Sequence, residues 1–159
     1  MNHSLVLGID PGFDRIGWAI GSGKTGQIIL TTCDCIITQR SESLPQRYQY
    51  LSEELDKIID QYQPTHLAIE QLYFARNTTT ALQVSEARGV ILSSAIRHQL
   101  SIAEYHPNTI KLAVTGVGNA TKAQVEKMVR LQVKLPQVKL IDDTIDAIAI
   151  LMTDLLTRR

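Results

Sequence analysis

The feature that most constrains this chain is a change of hydrophobic period. From Ser4 to Thr38 the apolar residues form short runs, Ser4 to Asp10, Ile16 to Gly21 and Gln27 to Thr38, punctuated by Asp-Pro-Gly and by Gly-Ser-Gly-Lys-Thr-Gly. Runs of this kind, bounded by turn residues, read as three antiparallel strands. From Leu44 the period lengthens: Leu44, Tyr48, Leu51, Leu55, Ile58, Ile59 and Tyr62 predict an amphipathic helix that ends before Pro64. Thr65 to Glu70 then reads as a buried strand. The same reasoning predicts a helix from about Thr79 to His98, a strand from Ile102 to Tyr105, and helices from about Thr121 to Val133 and Asp143 to Leu156. Strands followed by helical crossovers imply an α/β architecture, a mixed five-stranded sheet flanked by helices. The long connection after the third strand lays Thr65–Glu70 beside Ser4–Asp10.

Nothing in the sequence divides it. With 159 residues, 44% apolar and 20% charged, the chain reads as one globular domain, 1–159, and not as a coiled coil or a disordered segment. Cys33 and Cys35 are spaced too closely for an easy disulfide and lack the second pair that a zinc site needs, which points to a reducing compartment. Apolar runs fall short of the roughly 18 residues of a membrane span, and the first strand begins too near Met1 for a signal peptide. A cytoplasmic protein without membrane contact is expected.

The net charge of zero hides an uneven distribution. Residues 1 to 70 carry net −4, residues 71 to 139 net +6, and residues 140 to 159 net −2. A basic middle between acidic ends suits a phosphate-binding surface beside a cation-binding cluster.

Asp10 and Glu70 each close an apolar run, an odd place for a carboxylate unless it faces a cleft. In open sheets that cleft lies off the carboxyl ends of neighbouring parallel strands. Two desolvated carboxylates brought together there call for a cation. The last helix offers more acids. On a helical wheel Ile141, Ile145, Ile148, Met152 and Leu155 share one arc, and Asp142, Asp143, Asp146 and Asp154 the opposite one. Asp146 can project together with Asp143 or with Asp142, and spacing does not choose between them. Asp142 has a competing role as the helix N-cap. Three or four carboxylates without a Cys or His pattern suit hard cations, Mg2+ or Mn2+ before zinc. Beside a basic surface they point to phosphodiester chemistry, in which two ions about 4 Å apart activate a water and stabilise the leaving oxyanion.

Four motifs together, Leu7-Gly8-Ile9-Asp10-Pro11-Gly12, Ala68-Ile69-Glu70-Gln71, Gly116-Val117-Gly118 with Lys122, and Asp143-Thr144-Ile145-Asp146-Ala147-Ile148-Ala149, make the chain resemble the RuvC family of Holliday junction endonucleases. The resemblance implies an RNase H-like fold and a homodimer that cuts four-way DNA junctions by paired symmetric nicks, in recombination and repair. It implies Mg2+ (or Mn2+), two ions per site, held by a catalytic set of Asp10, Glu70, Asp143 and Asp146, and so favours Asp143 over Asp142. It further implies DNA contacts by Lys111 and Lys122, and the RuvA–RuvB branch-migration complex as a partner. Phe13-Asp14-Arg15 departs from the small or basic residues common at that point of the family.

Gln71-Leu72-Tyr73-Phe74-Ala75-Arg76-Asn77 opens a polar loop in which Tyr73 and Phe74 can stack on unpaired bases while Arg76 holds a phosphate. In the family an aromatic here enters the junction point, and Tyr73 matches it by its distance from Glu70. Ser85, Gly89 and Ser93 form a strip of small residues on the second long helix, suited either to packing within the chain or to a dimer interface. Three rival functions share parts of this pattern. An actin-like ATPase needs a far longer, duplicated chain. A non-catalytic junction-binding module does not require four acids in register. An RNase H-like nuclease acting on structured RNA would have the same fold and acids.

Overall fold

The structure is a computed structural model, and it describes residues 5–24, 26–72 and 78–158. Five strands, β1 (Val6–Asp10), β2 (Arg15–Lys24), β3 (Gln27–Ile37), β4 (His66–Glu70) and β5 (Ser101–Tyr105), form one sheet in the order β3-β2-β1-β4-β5. The first three pair antiparallel, whereas β4 runs parallel to β1 and β5 parallel to β4. The mixed sheet and the crossover placing Glu70 near Asp10 are therefore as expected. Helices α1 (Leu44–Tyr62), α2 (Thr78–Arg97), α3 (Pro107–Thr115), α4 (Lys122–Gln132) and α5 (Asp142–Thr157) cover it.

Strand alternation sorts the core into two layers. Leu7, Ile9, Ile16, Trp18, Ile20, Leu67 and Ile69 point to one face and pack on Leu51, Leu55 and Ile59 of α1 and Ala87, Ile91 and Ala95 of α2. The other face carries small residues. Ala19 and Ala68 pack against Ala147, Ile148 and Leu151 of α5. A Cβ on Gly8 would lie 2.6 Å from the Ala147 carbonyl oxygen, and one on Gly17 would lie 1.9 Å from that of Asp143. This lane of glycine and alanine admits α5 to backbone contact with β1 and β2. Asp10 has the parity of Gly8, and Glu70 that of Ala68. Both carboxylates consequently emerge on the α5 face, at the carboxyl ends of parallel neighbours.

Three expectations need correction. Helix α3 was not foreseen; it is capped by the His106 side chain, which accepts from the Asn108 N–H at 3.2 Å, and it ends at Gly116 with φ 78°. The N-cap of α5 is Ile141, not Asp142, because the Ile141 carbonyl already accepts from Thr144 and Ile145; Asp142 is the first helical residue. Asp154 does not belong to an exposed acidic arc. It is fully buried, because α5 lies between the sheet and α3 and α4 and is covered on nearly every side. Cys33 and Cys35 are free thiols. Among the described residues no helix is long and apolar enough to cross a membrane.

Candidate active site

Asp10 from β1, Glu70 from β4 and Asp146 from α5 line one cavity of about 210 Å3 together with Lys111 and Lys122. Each side chain has a local reason to be there. Asp10 and Glu70 stand where their strands end, and Asp146 lies one turn into α5, above the glycine lane. Lys111 sits on α3, whose Pro107 and Ile110 form part of the wall. Lys122 opens α4, directly after the N-cap Thr121, where the capping box with Gln124 holds the first turn. A cation at a helix N-terminus opposes the helix dipole and needs compensation. Here its Nζ lies 2.9 Å from Asp146 Oδ2 and 3.8 Å from Asp142 Oδ2.

The cavity is under-compensated. Burial, and then the charges of Asp146, Glu70 and Asp143, push the Asp10 carboxyl up to about 8 against the pull of Lys122. Burial raises Glu70 as well, reinforced by Asp146 and opposed by Lys111. Asp146 is raised by burial while its hydrogen bond to Lys122 works the other way, and that same bond raises Lys122. Such a set of carboxyl groups, each made reluctant to ionise first by burial and then by the acids around it, is the electrostatic signature of a cation-binding or acid–base site.

Asp143 does not line this cavity, although its charge is felt by Asp10. Its carboxylate faces Arg15, with Arg15 Nε 3.1 Å from Asp143 Oδ2, and that buried oxygen has no hydrogen-bond partner. Asp142 points outward, with its side chain 75% exposed. Asp10, Glu70 and Asp146 are thus brought together, Asp143 stands beside them, and Asp142 stands apart. The expected DNA contacts Lys111 and Lys122 line the cavity, whereas Tyr73, Phe74 and Arg76 lie outside the described residues.

All the donors are oxygens of carboxylates, which suits a hard divalent cation. Among the described residues no three His, Cys, Asp or Glu side chains converge closely enough to hold an ion as they stand. The reason is visible in the pairings: like charges repel, and Asp146 and Asp143 are turned to Lys122 and Arg15. The chemistry of the donors fits a hard divalent ion, which Asp10, Glu70 and Asp146 would hold. In the sequence Arg15 stands out only as part of the Phe13-Asp14-Arg15 departure from the family, not as a site residue. An arginine at the first residue of a strand reads as a solvated side chain, and only the long reach of the last helix to β2 makes it a neighbour of Asp143.

The family model described as "Crossover junction endodeoxyribonuclease RuvC" matches residues 6–154. A protein of that description from Petrotoga mobilis is 41% identical over 145 residues, which is 91% of this chain and 89% of the relative. One from Treponema pallidum is 37% identical over 150 residues, covering 94% of this chain and 76% of the relative. Among solved structures, Thermus thermophilus RuvC in complex with a Holliday junction substrate superposes with a TM-score of 0.89 at 28% identity, over 95% of this chain and 92% of that one. The yeast mitochondrial Holliday junction resolvase Ydc2, at 16% identity and a TM-score of 0.66, is similar in fold.

Proposed function

The chain belongs to the RuvC family of crossover junction endodeoxyribonucleases, has its RNase H-like fold and resolves Holliday junctions, and from that premise we propose how its own residues do so. The observation that carries the reading is the cavity in which Asp10, Glu70 and Asp146 meet Lys111 and Lys122. Family membership makes the nuclease metal-dependent. We take the ions to be Mg2+, replaceable by Mn2+, two per site, with Asp10, Glu70, Asp143 and Asp146 as their ligands. When bound, such ions activate water for attack on phosphorus and stabilise the departing 3′ or 5′ oxygen.

The chain's own groups do the rest. Asp10, fixed at the end of a buried strand, provides the most desolvated carboxylate of the cavity. Lys122 neutralises Asp146 in the free protein and can turn from it to a phosphate oxygen, since its side chain is 60% exposed. Lys111, on the opposite wall, lowers Glu70 and attracts the DNA backbone. Tyr73, Phe74 and Arg76 are assigned to the junction's unpaired bases and their phosphates.

Resolution by paired symmetric nicks requires two such sites related by a two-fold axis. The exposed strip of α2 favours a homodimer over packing within the chain: a Cβ on Gly89 would meet nothing within 4 Å, and Leu82 and Ile96 on the same helix are 63% and 65% exposed. The same reading makes the chain a single nuclease domain over 1–159 that acts in the cytoplasm beside the RuvA–RuvB branch-migration complex.

The test is to incubate the protein and Mg2+ with a synthetic four-way DNA junction, a linear duplex or a structured RNA and to map the nicks. Paired, religatable nicks near the crossover, with little duplex cutting, are expected. Single unpaired nicks, or preferential cutting of RNA, would overturn the reading, and binding without cutting would identify a non-catalytic junction module.

A further inference from the structure

A second cavity, of about 640 Å3, lies on the other side of Asp143, between the 12–15 loop, residues 37–40 at the end of β3, and Thr80 and Val84 of α2. Apart from Asp143 in its lining, nothing in the chemistry described above uses it. Pockets for small organic ligands span about 300–1,000 Å3, so it has room for a nucleotide.

Its walls are built, not incidental. Asp14 accepts from Arg40 at 2.6 Å on Oδ2 and from Arg47 at 2.5 Å on Oδ1. Two guanidinium groups thus share one carboxylate, and the hydrogen bond from Arg47, seconded by Arg40, holds Asp14 below its ordinary value. The trio keeps one positive charge. Arg47 is buried; it also donates to Thr38 Oγ1 at 2.7 Å and to the Phe13 carbonyl at 3.2 Å, and its guanidinium lies 3.7 Å from the centre of the Phe13 ring. The loop is therefore pinned from beneath, with one face of Phe13 stacked on Arg47 and Arg40 left 83% exposed above it. Arg15, 53% exposed, meets Asp143 through Nε, and among the described residues its terminal nitrogens carry no hydrogen bond. A guanidinium can hold a carboxylate along one edge and a phosphate oxygen along the other. Gln39 adds a neutral polar group to the lining.

We propose that this cavity is a nucleotide subsite for the DNA strand next to the cleavage position, in which Arg15 and Arg40 hold a backbone phosphate and Phe13 offers an apolar face to its sugar or base. The carboxylates present do not prevent this. Asp14 is matched by two cations and Asp143 by Arg15, so an approaching phosphate meets a net positive rim. Asp143, in the lining of this cavity and felt by Asp10 in the other, then links the two, and a strand crossing from one to the other passes over it. The subsite rests on the DNA substrate proposed above.

The test is equilibrium binding of the full chain to a fluorescently labelled four-way junction in EDTA, followed by anisotropy over a salt series, so that no cutting intervenes. For the wild type the affinity should fall steeply with salt. Arg40→Ala and Arg15→Ala should each weaken binding by about three- to tenfold and flatten the salt slope by about one counterion, as expected for a lost phosphate contact. Arg40→Lys should restore most of the slope. Arg40 is nearly free of contacts beyond Asp14, so thermal melts of Arg40→Ala should match the wild type closely and separate binding from folding. An unchanged salt slope in both alanine variants, with the wild type binding normally, overturns the subsite alone. A wild type that does not bind junctions overturns the substrate reading and the subsite with it.

Discussion

The two ends of α5 hold buried acids in opposite conditions. At the carboxyl end Asp154 is fully buried, accepts from the Tyr105 hydroxyl at 2.9 Å and has Arg158 Nε 3.5 Å from its other oxygen. At the amino end Asp143 and Asp146 keep 23% and 32% of their side-chain surface and open onto two cavities, beside cations that are themselves half exposed or more. Each end has one buried carboxylate oxygen without a hydrogen bond, Asp143 Oδ2 and Asp154 Oδ2. Burial and an incomplete partner set therefore do not by themselves make a reactive site. The amino end differs in having several acids, an opening, and partners free to leave, and the carboxyl end is a sealed structural joint.

The strongest way to break this contrast is to neutralise the open end. Asp10→Asn, Glu70→Gln, Asp143→Asn or Asp146→Asn should each slow cutting of a four-way junction by at least about 100-fold, the scale of losing one essential electrostatic group. Junction binding, measured without metal, should change little. Near-normal cutting by any one of them removes that residue from the set.

At the sealed end the effect should be on stability. Asp154→Ala removes a fully buried acceptor from the partly covered Tyr105 hydroxyl and Arg158 guanidinium and should cost about 1–3 kcal/mol in denaturant unfolding. Cleavage per folded molecule should stay near normal. A large loss of activity with unchanged stability would erase the distinction between the ends.

Asp14 sharpens the comparison, since it is a carboxylate satisfied on both oxygens but only partly covered. Asp14→Asn leaves Arg47 buried with weaker partners and should cost about 1–2 kcal/mol at neutral pH, after allowance for solvent screening. The folded-state value of Asp14 lies below the ordinary 3.8, so the unfolded chain binds more protons across that interval. Its stabilising contribution is complete above the ordinary value and disappears as the pH falls through the folded one. The gap between wild type and variant, followed by thermal melts, should accordingly close in acid.

The smallest effect belongs to Asp142→Asn. This exposed residue of the first turn should contribute no more than about 0.5 kcal/mol through the helix dipole, and the cutting rate should hardly move.

The sequence made the strand ends legible because Asp10 and Glu70 each close an apolar run on an acid, Asp10 at an Asp-Pro-Gly turn. It made the sheet legible because its runs are short and β-branched and the following helices are long and periodic. Helix α3 escaped for a physical reason: Pro107–Thr115 is short and contains Thr109, Ile110 and Val114, which favour strands as readily as helices. Pro107 just inside its start and Gly116 just past its end were the available signals. Missing it left Lys111 without an element, known only through the family motif. Asp154 escaped because a wheel assumes one wet side, and α5 has almost none. Arg15 and its cavity depend on contacts between residues more than a hundred positions apart, which no local pattern encodes.

The contact of Gly8 and Gly17 with the main chain of α5 has a consequence for how this molecule tolerates change. Asp10 lies opposite Gly17 in the β1–β2 register, and Gly17 abuts the Asp143 carbonyl. The separation between strand-borne and helix-borne acids is thus gauged by backbone resting on backbone, like a part seated on a machined stop. Substitutions elsewhere in the core can shuffle volumes without resetting that gauge. A single methyl group at Gly17 would reset it, so the positions that govern the spacing of the acids are ones that carry no side chain at all.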